Sequence, residues 1–437
     1  MADSMNLISA QISFLEPQLA LVHIPIELYS FCLQPILRLL FGEDHDEDAA
    51  KISWTNRHDF LNVSLTPVEC SVICSRYLAE TYVAPVAQAL NQLYGASSKG
   101  KEVKTEIQVS SEDYVAIQVD GQGLDAGQRV LELTSPLAMA GISIFFITTY
   151  FSDYILVPLR SRKTVTKALQ QRGFVFSQSV DAFVSQLSPS SPTVPHGGRP
   201  IYSPSFYENS APTTPPAKDI PELQIRTFTK LKKNDISPLV DNGVRLVNCA
   251  GSREFDPERD AQLRDDLLQV LIATMPLADG ACNAKPLSNG DSLAPKVALA
   301  SDLNFGAKFL SLTITAGEPI SVLMEHRLLG RLGRSLLGAK SEDDALIPIT
   351  LDLRDLPLDA TGIVCGVAGR LAQGSTDEDE QLDLSPQSGS GPDSDMPVEI
   401  SFLSTVRAGT VIVRASHLEK AIDALKYGMD KVAEATA

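Results

Sequence analysis

Histidines and cysteines are the side chains best equipped for catalysis or metal binding, and their spacing in this chain builds neither. His23, His45, His58, His196, His326 and His417 lie far apart, with no His-Glu-x-x-His pair to bring two imidazoles onto one helix face and no nucleophile-elbow serine. Cys32, Cys70, Cys74, Cys249, Cys282 and Cys365 include no Cys-x-x-Cys and mostly sit among apolar residues, as reduced core thiols of a cytosolic protein do. Cys70 and Cys74, four residues apart, read as core neighbours rather than metal ligands. Gly366-Val367-Ala368-Gly369 has the outline of a nucleotide loop, but it falls within a helical pattern and lacks a third glycine and a Walker lysine, so it reads as a helix packed closely on a sheet. These residues predict a non-enzymatic chain with no metal and no cofactor. Two polar positions, Ser143 and Thr405, fall on apolar strands, where a hydroxyl ordinarily satisfies backbone or edge groups.

The elements that carry those two positions are copies of one another. Residues 142–172 and 398–427 share a pattern in which Phe146-Ile147-Thr148-Thr149 matches Phe402-Leu403-Ser404-Thr405, and Val157 and Val413 close equivalent apolar runs. Each copy reads as strand, turn, strand, helix, preceded by an amphipathic helix (125–138; 361–372) and a strand (114–119; 347–353), so each unit is βαββα. Ser416 and Glu419 have capping-box spacing and Gly428 is a plausible helix stop; Gly173 ends the matching helix of the first copy. The second copy carries an insertion of about twenty-two residues, acidic and rich in Ser and Gly, which predicts a disordered loop over 373–396.

A chain of 437 residues with 44% hydrophobic content has ample core for several domains. Its net charge of −17 argues against nucleic acid or an anionic membrane surface as partner. Acidic runs at 43–48 and 376–380 account for part of that charge and read as solvated loops. The apolar run 137–157 is interrupted by Ser143, Thr148, Thr149, Ser152 and Asp153, and its twin contains Arg407 and is too short to span a bilayer, so no membrane segment is predicted. No secretory signal is visible at the start, and a cytoplasmic location is expected.

Residues 177–222 are dominated by Pro, Ser, Thr and Gly and form a linker between two halves. Ser188, Ser191, Ser203, Thr214 and, in the insert, Ser385 each precede a proline, the dipeptide that proline-directed kinases modify. Ahead of the first repeat the pattern gives strands at 11–15, 19–23, 60–65 and 70–75, a helix-like stretch 27–41 limited by Pro35, and a helix at 83–93. Ahead of the second it gives a strand at 223–231, a helix at 260–274, a loop at 277–295, strands at 309–315 and 320–325, and a helix at 328–337. The domains expected are 1–100, 108–176, 223–340 and 345–437.

A tandem βαββα unit of this size resembles the ACT domain, the small-molecule regulatory module of amino-acid metabolism. Pro136-Leu137-Ala138, Ser143-Ile144, Thr148-Thr149-Tyr150 and Ser152-Asp153-Tyr154-Ile155-Leu156-Val157 resemble the second ACT domain of the CASTOR proteins, the cytosolic arginine sensors of the TOR pathway. Gly362-Ile363-Val364, Ala368-Gly369, Leu371-Ala372, Ser404-Thr405 and Val411-Ile412-Val413 resemble their fourth, and Leu28-Tyr29 with residues 35–41 resembles their first. The resemblance implies an α+β fold of four ferredoxin-like ACT domains in two pairs, antiparallel sheets covered on one face by helices. It also implies an amino acid in the seam of domains two and four, a protein partner in nutrient signalling, and a homodimer formed through domains one and three. Carried over by residue, Ser143 and Ile144 match the carboxylate-contacting pair, Thr405 and Val406 match the pair in the fourth domain, and Gly362 matches the glycine opening its helix. Gly409 and Ala360 stand where the family has ligand-contacting acids. A guanidinium desolvated without a counter-charge costs several kcal/mol, so the ligand expected is an amino acid other than arginine unless Asp359 or Glu399 supplies the charge. Two further classes are consistent with the sequence: a regulatory subunit of an amino-acid biosynthetic enzyme, and a ligand-free interaction scaffold.

Overall fold

The computed structural model describes residues 11–42, 53–95, 106–120, 126–177, 217–254, 256–274, 276–278, 303–305, 308–332, 336–338, 345–373 and 398–436. The run 43–48, the linker from 178 to 216, the insert from 374 to 396, the five Ser/Thr-Pro dipeptides, His45, His196 and Cys282 lie outside them.

The first half runs β1 (Gln11–Phe14), β2 (Leu19–Pro25), a 3-10 turn (Ile26–Cys32), α1 (Leu33–Phe41), β3 (Phe60–Leu65), β4 (Glu69–Ser75), a π turn (Ala79–Val83) leading into α2 (Ala84–Gly95), and β5 (Gln108–Val109). Pro35 sits in the first turn of α1, where its missing N–H costs nothing. There follow β6 (Tyr114–Asp120), α3 (Ala126–Met139), β7 (Phe145–Thr148), β8 (Ser152–Pro158), α4 (Arg162–Gln171) and β9 (Val175–Phe176). The second half opens with α5 (Ile220–Lys233), β10 (Leu239–Val240), β11 (Leu246–Ala250) and α6 (Pro257–Ala273). A separate ribbon of β12 (Pro276–Ala278) and β13 (Leu303–Phe305) precedes β14 (Leu310–Thr315), β15 (Glu318–Glu325) and β16 (Leu337–Gly338). Last come β17 (Leu346–Asp352), α7 (Ile363–Gln373), β18 (Ile400–Ser404), β19 (Ala408–Arg414) and α8 (Leu418–Thr436).

Strand pairing produces two broad sheets, each drawing on both halves of the chain. One has the order β5-β2-β4-β3-β14-β15-β11-β16, the other β9-β1-β6-β8-β7-β18-β19-β17-β10, antiparallel except where β1 meets β9. The middle of the first sheet is a full ladder from Leu310↔Leu65 to Thr315↔Phe60. The middle of the second is a single pair, Leu403↔Ile147. Bridging pairs Leu19↔Tyr114 and Leu246↔Leu346 join the sheets at their corners.

Among the described residues, helices cover one face of each sheet. α1, α2 and α6 cover the first sheet over a core that includes Val22, Leu39, Val72, Leu267 and Val322. α3, α4, α5, α7 and α8 cover the second over Ile117, Leu133, Phe146, Val367 and Phe402. The remaining faces pack on each other through a third core containing Leu21, Phe60, Ile73, Tyr114, Phe145, Tyr154 and Ile412. Strands β2, β3, β8 and β14 are therefore buried at every position, including polar residues such as Asn62, Ser64, Asp153 and Thr313 that break their apolar runs. Among the described residues no helix is long and apolar enough to cross a membrane.

Three sequence expectations are corrected. Residues 223–231 are helix, not strand: Asp219 caps α5 by accepting from the Glu222 amide at 2.8 Å, Pro221 occupies the first turn, and Leu223, Thr227, Phe228 and Leu231 form one buried stripe. The described residues of the span expected as a helix at 328–337 belong to a 3-10 turn (His326–Arg331) and to the start of β16; Leu328, Leu332 and Leu336 are buried as the periodicity required, but Gly330 weakens the helical alternative. Gly428 does not stop a helix, since α8 continues through it to Thr436.

The glycines of α7 and α8 instead make room for α5. A Cβ on Gly366 would lie 2.5 Å from Thr227 Oγ1, one on Gly369 2.8 Å from Gln224 Nε2, and one on Gly428 2.7 Å from the Phe228 ring. Gly366 and Gly369 are thus pressed against a helix, rather than against the sheet that the sequence pattern suggested. Gly428→Ala should cost about 1–3 kcal/mol by overpacking in the wild type and clearly less in a Phe228→Ala background, as urea-unfolding midpoints of the four proteins of this cycle would measure.

Candidate functional site

The junction of β7 and β18 gathers most of the residues singled out from sequence. Besides its one ladder pair, it is held by two reciprocal bonds: the Phe146 amide donates to Ser404 Oγ at 3.0 Å, and the Phe402 amide to Thr148 Oγ1 at 3.1 Å. Residues 353–364 fold over one side of this junction and enclose a cavity of about 50 Å³ lined by Ile144, Ala360, Val364, Thr405, Val406 and Gly409, among others. Ile144, Thr405 and Val406 thus share a cavity. Ser143 is buried beside it in the approach to β7, and neither Ser143 nor Gly362 is part of the lining. The space has room for a few waters, against the roughly 300–1,000 Å³ of a small-molecule site.

Gly362 has φ +84, a conformation that favours glycine, and its carbonyl accepts from Thr227 Oγ1 at 3.0 Å. A Cβ there would stand 2.9 Å from Leu223 Cδ1, so α5 covers the start of α7. Lys230 of α5 donates to the Thr361 carbonyl at 3.1 Å, and burial lowers its pKa. Asp359 does not line the cavity, and Glu399 is paired at 2.7 Å with Arg414 on the surface.

The turn between β18 and β19 is clamped by a residue from the other sheet. Glu69, completely buried at the start of β4, accepts from Thr405 Oγ1 at 2.6 Å and from the Arg407 amide, and its second oxygen lies 2.5 Å from His23 Nδ1. The Val406 amide reaches Ser71 Oγ at 3.4 Å. Arg407 donates to the Leu356 carbonyl at 3.1 Å and to Gln108 Oε1 at 2.6 Å, pinning the loop over the cavity. The cation of this neighbourhood is therefore the chain's own, a further physical reason why a guanidinium ligand fits poorly.

The β7–β8 turn has the matching arrangement. Glu318, at the start of β15, accepts from Ser152 Oγ at 2.5 Å, Tyr154 OH at 2.8 Å and Gln118 Nε2 at 2.9 Å, while the Tyr150 amide donates to Ser321 Oγ at 2.9 Å. Glu69 and Glu318 escaped the sequence reading because their units diverge most, yet a signal existed: each glutamate stands two or three residues ahead of a Ser-Val pair, Ser71-Val72 and Ser321-Val322.

Residues 109–171 match the ACT domain. That ACT domain contains β6, α3, β7, β8 and α4, and Asp153 within it occupies the register position held by Gly409 in the other repeat, opposite Thr148 and Ser404 respectively. Asp153 is fully buried, bonded to Arg129 Nε, and burial raises its pKa, with Arg129 and Thr148 opposing. Structural comparison finds aspartate kinase from Synechocystis (TM-score 0.28, 11% identity), covering 97% of this chain and 56% of that one, so the chain spans little more than half the length of that kinase. A protein from Agrobacterium tumefaciens (0.24, 15%) covers 39% of this chain and 95% of its own length. The regulatory subunit of aspartate kinase from Thermus thermophilus in its ligand-free form (0.23, 11%) covers 36% and 95%. None of the curated proteins compared with the chain matches it.

Catalytic thiol chemistry finds no support among the described residues. Burial pushes the Cys32, Cys74 and Cys365 thiols up to about 12 and Cys70 well above its ordinary value, away from the thiolate. No cluster of three His, Cys, Asp or Glu that could hold a metal occurs among these residues.

Two outcomes are expected. Glu69→Ala strands the Thr405 hydroxyl, the Arg407 amide and His23, and should cost about 3–5 kcal/mol in urea unfolding, more than Glu318→Ala at its partly exposed site. The raised acid Asp153 binds its proton more tightly folded than unfolded, so its contribution is present at low pH and lost as pH rises through the folded value. Measured against Asp153→Asn, wild-type stability should therefore fall as pH rises upward from the ordinary carboxylate range.

Proposed function

We propose that the chain is a non-enzymatic regulatory protein of four ACT units in two side-by-side pairs, resembling the CASTOR sensors. It binds a free amino acid at the seam of units two and four and passes occupancy to a protein partner in nutrient control. The observation that carries this reading is the meeting, edge to edge at β7 and β18, of the ACT domain at 109–171 with a second unit of the same element order. ACT domains are typically regulatory modules that bind amino acids. The thin ladder at this seam, one pair against the full ladder of the other sheet, suits a joint that opens to admit a ligand. The homodimer through units one and three and the cytoplasmic location belong to the same reading.

Such a switch needs a ligand that favours the open arrangement, with a coupling of about 1–3 kcal/mol. Gly409, Ala360 and Arg407 together favour an amino acid other than arginine. The 50 Å³ cavity favours a second reading, in which the seam is permanently closed and the chain is a ligand-free scaffold.

A thermal-shift screen against the twenty amino acids separates the two readings. On the sensor reading at least one amino acid raises the melting temperature, by the equivalent of about 2.7 kcal/mol at a hundredfold excess over Kd, and the rise disappears in Ile144→Trp, which fills the cavity. Absence of any rise at millimolar concentration overturns the sensor reading and leaves the scaffold.

A further inference from the structure

A larger cavity, of about 330 Å³, lies at the corner where the two sheets meet and shares no lining residue with the cavity at the β7–β18 seam. Four parts of the chain wall it: the turn after β2 with Ile26, the β3–β4 hairpin with Leu65 and Pro67, the segment before β14 with Phe309, and the β10–β17 edge with Leu239 and Pro348. The volume lies in the range of small-molecule sites. Its walls are mainly apolar, and Leu239 is 48% exposed, so the structure leaves apolar surface here uncovered.

One charged pair stands on this cavity. Lys308 Nζ lies 2.6 Å from Asp241 Oδ2, and both residues line the space. Asp241 is oriented by the Gly243 amide, which donates to its other oxygen at 2.9 Å. Both side chains are close to half exposed, so the pair itself adds little to stability and can be parted at small cost.

We propose that this corner is a binding site for an apolar α-amino acid, with the ligand ammonium on Asp241, its carboxylate on Lys308 and its hydrocarbon side chain in the apolar cavity. An ammonium and a carboxylate on one carbon match a fixed anion and cation side by side. The apolar walls then select a branched or aromatic side chain over a charged one, because a charge placed there would be desolvated without a partner. The site differs from the seam of the proposed function in every lining residue. The two are close in chain terms, however: Thr66, on the cavity wall, hydrogen-bonds the backbone of Glu69, whose side chain clamps the β18–β19 turn.

The test is titration calorimetry of the full chain with L-leucine and L-phenylalanine, alongside leucinamide and N-acetyl-leucine, which each lack one of the two charges. Binding of the free amino acids, weakened at least tenfold in Lys308→Ala, in Asp241→Asn and for both derivatives, and unchanged in Ile144→Trp, is the expected result. Ile26→Trp, a half-buried lining position on a different segment from the charged pair, should abolish it while circular dichroism shows the fold retained. Binding lost in Ile144→Trp but kept in Lys308→Ala overturns the corner site and leaves the seam reading standing. Equal affinity for leucinamide or N-acetyl-leucine overturns it as well, since the charged pair would then not read the zwitterion. Absence of binding by leucine and phenylalanine at millimolar concentration also overturns it, while the seam reading still answers to its own screen of all twenty amino acids.

Discussion

The long inner strands of the two sheets are squeezed between two apolar layers, helices on one side and the opposing sheet on the other, and this double burial constrains the rest of the molecule. A backbone or side-chain polar group at that depth has no water to turn to, so it needs a partner inside the protein. Asn62, with no exposure, meets the constraint by donating to Ser311 and Thr313 across the β3–β14 ladder, while Ser64 donates to its oxygen. Glu69 meets it by collecting a hydroxyl, an amide and an imidazole from two sheets. Such fully satisfied networks fix register in a way that apolar contacts alone do not, because a one-residue slip would orphan several groups at once.

The same constraint explains what was legible in the sequence. The repeat at 142–172 and 398–427 could be read because its buried strands place apolar residues at matching positions, Phe146-Ile147 and Val157 in one copy and Phe402-Leu403 and Val413 in the other. Residues 223–231 were misread because two periods coexist there. Leu223, Ile225 and Thr227 alternate as in a strand, while Leu223, Thr227, Phe228 and Leu231 recur as in a helix; the 49% exposure of Ile225 shows which period packing obeys. The glycines at 366 and 369 announced a close approach but not the identity of the approaching element, which is α5, far earlier in the chain.

The site was legible in part. Ile144, Thr405 and Val406 do come together, since the register of two repeated hairpins forces them to the same joint. Thr405, however, is committed to a carboxylate from a different unit, and Gly362 to the side chains of α5; both are long-range contacts that no local pattern encodes. The smallness of the cavity is likewise a property of loop packing, set by Arg407 holding Leu356, and not of any motif.

The interleaving of the halves has an evolutionary consequence. A polypeptide equal to either half would expose one unpaired edge in each sheet, at β3 and β7 or at β14 and β18, and two such molecules could close on one another by the same contacts. Fusing them into one polypeptide releases the two mirrored halves of each junction from the obligation to be identical. Asp153 with its Arg129 on one side and Gly409 on the other show the asymmetry that a single polypeptide permits: a homodimer would have to carry the acid twice, whereas this chain carries it once.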